Sequence, residues 1–491
     1  MKIGLVSLGC PKNLVDGEVM LGLAQQAGHE LTPDAGDADV IIVNTCAFID
    51  NAKQESIDAI LEMAQLKRDG KCSRLVVTGC LAERYRDELA KDIPEIDAFL
   101  GTGEVPGIVD ALEARSAPGE ARTEPLKFHR KTSRSRNPDL ARTPDLSLRT
   151  SDLAARDARL APRDAHLGPR PLPTYIYDAD TPRVQTTPRH FAYVKVAEGC
   201  DYTCAFCIIP TLRGHYRSRT QDSIVTEARA LVSRGVKELL LISQDTTFYG
   251  IDRSERGALA RLLRELNTVD GLEWIRLLYL YPTTITDDVL AAMAECEKVC
   301  RYVDLPLQHA SAEVLKRMRR PGNRKTYDTL LARIRDRVPG VTLRTTFIVG
   351  FPGETEQAFA ELESFVQDIG FDHIGVFTYS HEEGTRAHAL KDNITAATKR
   401  NRRDRIMARQ QRIVAARQQS RIGTDVAVLI DGPSAEHELV LQGRLEGQAP
   451  DIDPVVYLTD CDPSLYGRGD LIRARIVGAE GYDLLATPFQ S

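Results

Sequence analysis

Short apolar runs separated by amphipathic stretches set the pattern of the first 112 residues. KIGLVSLG, ADVIIVNT and SRLVVTG predict buried strands, and helical periodicity fills the stretches between them, so this part is expected to be a small parallel α/β sheet. Each of these three runs ends in a cysteine: Cys10 after Gly9, Cys46 after Thr45 and Cys80 after Gly79. Ligands of open α/β sheets sit outside the carboxyl ends of the strands, where neighbouring loops converge. Three cysteines far apart in sequence are therefore expected to meet in space. One cysteine at such a place would be a small buried residue; three at the same topological position favour a metal.

A second block, 186–418, carries six strand-like runs: FAYVKVA, KELLLIS, WIRLLYL, YVDLPLQ, VTLRTTFIVG and HIGVFTY. Amphipathic stretches separate them, such as SIVTEARALVSRG with its terminal glycine. Six βα units in succession predict a parallel sheet closed wholly or partly into a (β/α)6 barrel, with its chemistry at the C-terminal strand ends. The loop after the first of these strands reads EGCDYTCAFCIIP and places Cys200, Cys204 and Cys207 within eight residues; SQDTT follows the second strand.

Between the two blocks, 113–185 loses all sustained periodicity. Rich in Arg, Ser and Pro, it carries thirteen Lys and Arg against eight Asp and Glu over 113–174, and is expected to be a disordered linker. The interleaved acids favour a solvated linker over a nucleic-acid arm. After the barrel, TKRNRRDRIMARQQRIVAARQQSR predicts a long basic helix with a solvated face. It leads to 420–488, where DVAVLI, PVVYL and LIRARIVG predict a small all-β barrel. The expected fold is an α/β multidomain protein ending in that barrel.

Composition narrows the setting. With 42% hydrophobic and 27% charged residues over 491 positions, the chain has the make-up of a globular protein of several domains. Its start, MKIGLVSLGC, has no small-residue cleavage site, and no uncharged stretch of about 18 residues occurs, which points to a cytoplasmic protein without a membrane span. Thiols clustered in a reducing compartment favour metal or redox chemistry over disulfides. A structural zinc would need a fourth ligand, and His215 is the candidate, eight residues after Cys207. An iron-sulfur cluster with four irons can be held by three thiolates, which leaves one iron open to a ligand.

The C-x-x-x-C-x-x-C spacing after a first barrel strand resembles the radical S-adenosylmethionine (SAM) superfamily. SLGCPKNLVDGE, VNTCAFID, VVTGCLAERY, GCDYTCAFCIIPTLRGHYRSR, LISQDTTFYGID, LYLYP, LPLQHAS, TFIVGFPGETE and FTYSHEEGT are similar to the methylthiotransferases. CPKN and CDYTCAFCIIP most resemble the RimO type rather than the tRNA-modifying MiaB type. The resemblance implies methylthiolation of the β-carbon of an aspartate in protein twelve of the small ribosomal subunit. It implies a 4Fe-4S cluster on Cys200, Cys204 and Cys207 whose open iron chelates SAM and yields a 5′-deoxyadenosyl radical. It implies a second 4Fe-4S cluster on Cys10, Cys46 and Cys80 that carries the transferred sulfur, and two sites that face each other across a domain interface. An electron-donor protein is implied as a further partner. The C-terminal barrel would be a TRAM domain of OB-like form.

By the same resemblance Phe206 would lie near the adenine, Ser243, Gln244 and Asp245 would offer acceptors to SAM, and Gly350 and Gly353 would let backbone approach the cofactor. Each has a plainer reading in core packing or turn formation, as has His309. Cys72, Cys296, Cys300 and Cys461 lie outside the motifs; Cys296 and Cys300, four apart on a predicted helix, would share a face and pack.

Charge bears on the partner. From Arg421 to Asp483 five arginines stand against twelve acids, a net charge of −7. RNA-binding modules of this size show a basic face, so an acidic barrel suits a basic ribosomal protein and makes nucleic-acid binding secondary. The linker is longer than the family pattern, and Pro454 in APDIDP replaces a turn that more usually carries glycine. The competing readings are a tRNA (adenine) methylthiotransferase and a non-catalytic zinc protein.

Overall fold

A computed structural model describes residues 1–114, 171–434 and 439–489. Most of the expected linker, 115–170, lies outside the described residues.

The N-terminal sheet contains β1 (Lys2–Ser7), β2 (Glu30–Leu31), β3 (Val40–Thr45), β4 (Arg74–Gly79) and β5 (Ala98–Leu100), all parallel, in the order β2-β1-β3-β4-β5. Every residue of β3 and β4 is buried, as the unbroken apolar runs require of strands covered on both faces. The helices Pro11–Gln26, Asp50–Asp69 and Cys80–Asp92 make the crossovers. Because β1, β3 and β4 are adjacent, their C-terminal ends open onto one edge.

The central domain contains β6 (Phe191–Lys195), the short antiparallel pair β7 (Ala197–Glu198) and β8 (Arg217–Ser218), β9 (Glu238–Ile242), β10 (Trp274–Leu277), β11 (Tyr302–Asp304), β12 (Thr342–Val349) and β13 (His373–Thr378). All six expected strands are present, in two parallel sheets ordered β10-β9-β6 and β11-β12-β13. A bridge from Ile275 to Val299 and the Leu280 N–H donated to Asp304 O at 2.9 Å join them into one open arc, a partial barrel. Helix Pro11–Gln26 packs on β6, and its Val15 and Val19 share a core with Phe191, Tyr193 and Leu240.

The C-terminal domain is a closed barrel of β14 (Asp425–Pro433), β15 (Leu441–Arg444), β16 (Val456–Leu458), β17 (Leu471–Glu480) and β18 (Asp483–Pro488), ordered β14-β15-β16-β18-β17. Three of these strands are legible in the sequence; β15 and β18 complete the barrel.

Three expectations need correction. Cys296 and Cys300 do not share a helix face: the helix Asp287–Glu295 ends first, Cys296 adopts extended backbone, and Cys300 donates its N–H to Ile275 O at the edge of β10. Both are buried. The basic helix runs from Ala396 to Arg421, but one face is not solvated. Lys399, Arg402, Ile406, Gln410, Val414 and Gln418, three or four apart, are buried on the central and C-terminal domains. The polar members of that stripe are hydrogen-bonded, Gln410 Nε2 to Phe371 O at 3.0 Å and Gln418 Nε2 to Tyr482 O at 2.6 Å. Finally, 172–185 has no regular secondary structure yet packs as a strap. Tyr177 is buried, and Arg183 donates to Glu18 of the first helix at 2.8 Å and to Glu227 of the central domain at 2.6 Å.

Candidate functional site

The edge formed by β1, β3 and β4 gathers Cys10, Cys46 and Cys80. Cys10 precedes the helix Pro11–Gln26, Cys80 opens the next crossover helix but one, and Cys46 is fixed by Ser56, which accepts from its N–H at 2.9 Å and donates to its carbonyl at 3.0 Å. Gly9 turns the chain into this site at φ +87°, and a Cβ there would stand 2.7 Å from Cys46 Cβ and 3.1 Å from its Sγ, so only glycine admits the second thiol. Burial pushes the Cys80 thiol up to about 12, against the pull of Arg213, and raises Cys46 as well. In both cases the neighbouring Cys10 adds to the rise, so the three sulfurs feel one another.

Cys200, Cys204 and Cys207 lie in the loop between β7 and β8. Cys200 donates its N–H to Gly214 O at 3.0 Å and Cys207 to Cys204 O at 3.2 Å, which winds the loop around the three sulfurs. Gly199, at φ +87°, leaves room for His215 O, which a Cβ would meet at 2.1 Å. Burial raises Cys200 to about 11 and Cys207 to about 12. Arg320 donates to Cys204 Sγ at 3.9 Å and stacks its guanidinium 4.2 Å above the Tyr281 ring, which itself stacks on Tyr202 at 3.9 Å.

Neither triad is a zinc site in form. Among the described residues no three His, Cys, Asp or Glu side chains converge on the scale of a single ion. His215 turns away: its side chain is 82% exposed and pairs with Asp201 at 2.8 Å. Three sulfur donors with a guanidinium beside each set fit a polynuclear iron-sulfur group with an open position.

The weaker candidates separate. Gln244 donates to Glu198 Oε1 at 2.6 Å, and its own Oε1 is buried with no hydrogen-bond partner, so it keeps an acceptor free in this seam. Asp245 does not. Its carboxylate accepts from Tyr202 Oη at 2.8 Å, Thr284 Oγ1 at 3.1 Å and the N–H groups of Thr247 and Phe248, which makes it the cap of a 3-10 turn. Ser243 is fully buried beside Thr246. Phe206 is half-buried against the small core of Ala205, Met318 and Phe351. The space a Cβ would take at Gly350 holds Lys399, and at Gly353 it holds Arg317. His309 is structural: Ser311 N–H donates to its Nδ1 at 3.0 Å, so Nε2 carries the proton and faces Glu354 at 3.2 Å.

The sequence reading missed Asp16, Lys195, Glu198 and Arg213, a buried charge knot that reaches the Cys80 sulfur, and Lys12, whose ammonium sits 2.9 Å from the centre of the Tyr279 ring. Burial lowers Lys12 to about 8. One signal was available: Lys195 interrupts the apolar run FAYVKVA, where a lone charge demands a buried partner.

Residues 2–101 match the family described as Uncharacterized protein family UPF0004, 194–366 the Radical SAM superfamily, and 422–488 the TRAM domain. The chain is 44% identical to the ribosomal protein uS12 methylthiotransferase RimO of Geotalea uraniireducens, over 99% of this chain and 97% of that one. It is 46% identical to the protein of the same name from Koribacter versatilis, over 99% and 96%. Among solved structures, the radical S-adenosylmethionine methyltransferase TsrM from Kitasatospora setae, bound to tryptophan and a SAM analog, aligns with a TM-score of 0.50 at 16% identity, over 77% of this chain and 72% of that one. That likeness is one of fold.

Proposed function

The chain belongs to the RimO family of ribosomal protein uS12 methylthiotransferases, and from that premise we propose that it attaches a methylthio group to the β-carbon of an aspartate in uS12. Cys200, Cys204 and Cys207 would hold the 4Fe-4S cluster that binds SAM, and Cys10, Cys46 and Cys80 a second 4Fe-4S cluster. When bound, these groups supply what acid-base chemistry cannot: a radical able to take hydrogen from an unactivated carbon, and a sulfur ready for methylation and transfer.

The chain's own residues bind and orient. Arg320 and Arg213 each set a guanidinium against a site sulfur, which favours the thiolate form that a metal takes. Tyr202 and Tyr281 form a stacked aromatic wall beside Cys204, and Gln244 keeps an acceptor free in the seam. Reaction at one carbon requires radical and sulfur to converge, and the observation that carries the reading is that one buried charge knot joins the Cys80 sulfur to Glu198, two residues before Cys200 in the loop of the second triad.

The acidic C-terminal barrel, at −7 from Arg421 to Asp483, supports a basic protein partner over tRNA. No helix among the described residues is long and apolar enough to cross a membrane; a cytoplasmic setting and an electron-donor protein belong to the proposal. The test is intact-mass analysis of uS12 and of tRNA after anaerobic incubation with reconstituted enzyme, SAM, sulfide and a reductant. A methylthio gain on uS12 alone is expected; a gain on tRNA alone would replace this reading with that of a tRNA methylthiotransferase.

A further inference from the structure

Arg213 reaches the Cys80 sulfur and the carboxylate two residues before Cys200. Its Nη1 donates to Asp16 Oδ2 and to Glu198 Oε2 at 3.0 Å each, while Nη2 reaches Asn13 Oδ1 at 3.4 Å and Cys80 Sγ at 3.7 Å. Lys195 Nζ closes the knot, on Asp16 and on Glu198 Oε2 at 2.5 Å. All four charged side chains are 7% exposed or less, and two cations balance two carboxylates. Buried charges persist only when matched in this way. The knot ties the ends of the two sites together, because Asp16 lies six residues beyond Cys10 and Glu198 lies two before Cys200. Glu198 in turn accepts from Gln244 at the end of β9. Within the knot the two cations differ: Lys195 donates to the carboxylates, whereas Arg213 also donates to a site sulfur.

We infer that Arg213 is a positioning residue for the N-terminal triad, holding the Cys80 sulfur with one arm and, through Glu198, the start of the loop that carries Cys200 with the other. A cation donating to a ligand sulfur favours the more negative, reduced state of an iron-sulfur group and so raises its potential. Lys195 lacks that contact and acts on the fold alone. The inference rests on the reading of both triads as iron-sulfur sites.

The test is a redox titration followed by electron paramagnetic resonance on the reconstituted, full-length enzyme, with added SAM used to identify the signal of the barrel cluster. Two double variants remove one cation and one carboxylate each, so that the knot stays balanced: Arg213→Gln with Asp16→Asn, and Lys195→Gln with Asp16→Asn. Expected is a shift of the N-terminal cluster to more negative potential in the Arg213 double, with the Lys195 double staying at the wild-type value. Equal shifts in both doubles, or none in either, overturn the inference. Arg213→Lys keeps the charge and is the variant least apt to unfold the knot; it should shift less and in the same direction, and a wild-type potential there, where the doubles do not fold, overturns the inference as well. A wild-type chain that takes up a single cluster overturns the two-site reading instead, and this inference with it.

Discussion

Arg402 and Glu354, 48 residues apart in the chain, meet at 3.0 Å in a fully buried contact that ties the helix Ala396–Arg421 to the loop after β12. Glu354 also accepts from the Gly350 N–H and faces the His309 Nε2 proton, so one carboxylate holds the turn Gly350–Glu354 in place. Arg402→Met should therefore destabilise the protein by about 3–5 kcal/mol, since it strands a buried charge. Adding Glu354→Gln should restore most of the loss, as followed by denaturant unfolding. An unchanged midpoint in the single variant would show that the pair contributes nothing.

The strap 172–185 passes so close to the first helix that glycine is required there. A Cβ on Gly22 would stand 2.3 Å from the carbonyl of Pro182 and 2.5 Å from Arg183 N. Gly→Ala inside a helix ordinarily stabilises by about 1 kcal/mol. Here Gly22→Ala should instead destabilise by about 1–3 kcal/mol through overpacking, and thermal melting gives the sign.

The two triads should separate in function. Cys200→Ala should abolish the cleavage of SAM to 5′-deoxyadenosine and methylthio transfer together. Cys10→Ala should retain cleavage and lose transfer. Chromatography of the nucleoside product alongside the mass of uS12 distinguishes them, and transfer retained in Cys10→Ala would remove the N-terminal triad from the reaction.

Docking of the C-terminal barrel should weaken in acid. Burial raises the pKa of Asp431, but His190 at 2.7 Å and Arg444 at 2.8 Å more than offset it, so the net shift is downward. A carboxyl whose folded pKa is depressed stabilises above its unfolded value, about 4, and loses that stabilisation as pH falls through the folded pKa. The melting difference between wild type and Asp431→Asn should be largest near neutrality and vanish in acid. A difference that does not change with pH would mean that the Asp431 charge is irrelevant to docking.

Much of this was legible in one sequence. Apolar Val, Ile and Leu runs mark β3, β4 and β9, because burial on both faces leaves no polar alternation. The six cysteines stand at strand ends or in one loop, where topology alone brings them to an edge. Of the charge knot only Lys195, a lone charge in an apolar run, was legible: Asp16 lies 179 residues from Lys195 and 197 from Arg213, and no spacing links them. Nor was the buried stripe of the basic helix, whose Lys399, Arg402, Gln410 and Gln418 have the composition of a surface and the partners of an interior. Cys296 and Cys300 misled for a local reason, as the helix stops at Glu295.

All five strands of the N-terminal sheet fall within residues 2 to 100, and its three cysteines with them. Chain synthesis at about 5–20 residues per second completes this sheet roughly 5–20 s before it reaches Cys200, and Arg213 follows later still. During translation the first set of thiols thus stands assembled but uncapped, open on the side that the barrel will cover. The order of the domains along the chain completes the N-terminal thiol set with the neighbouring cation Lys12 already made and Arg213 still to come.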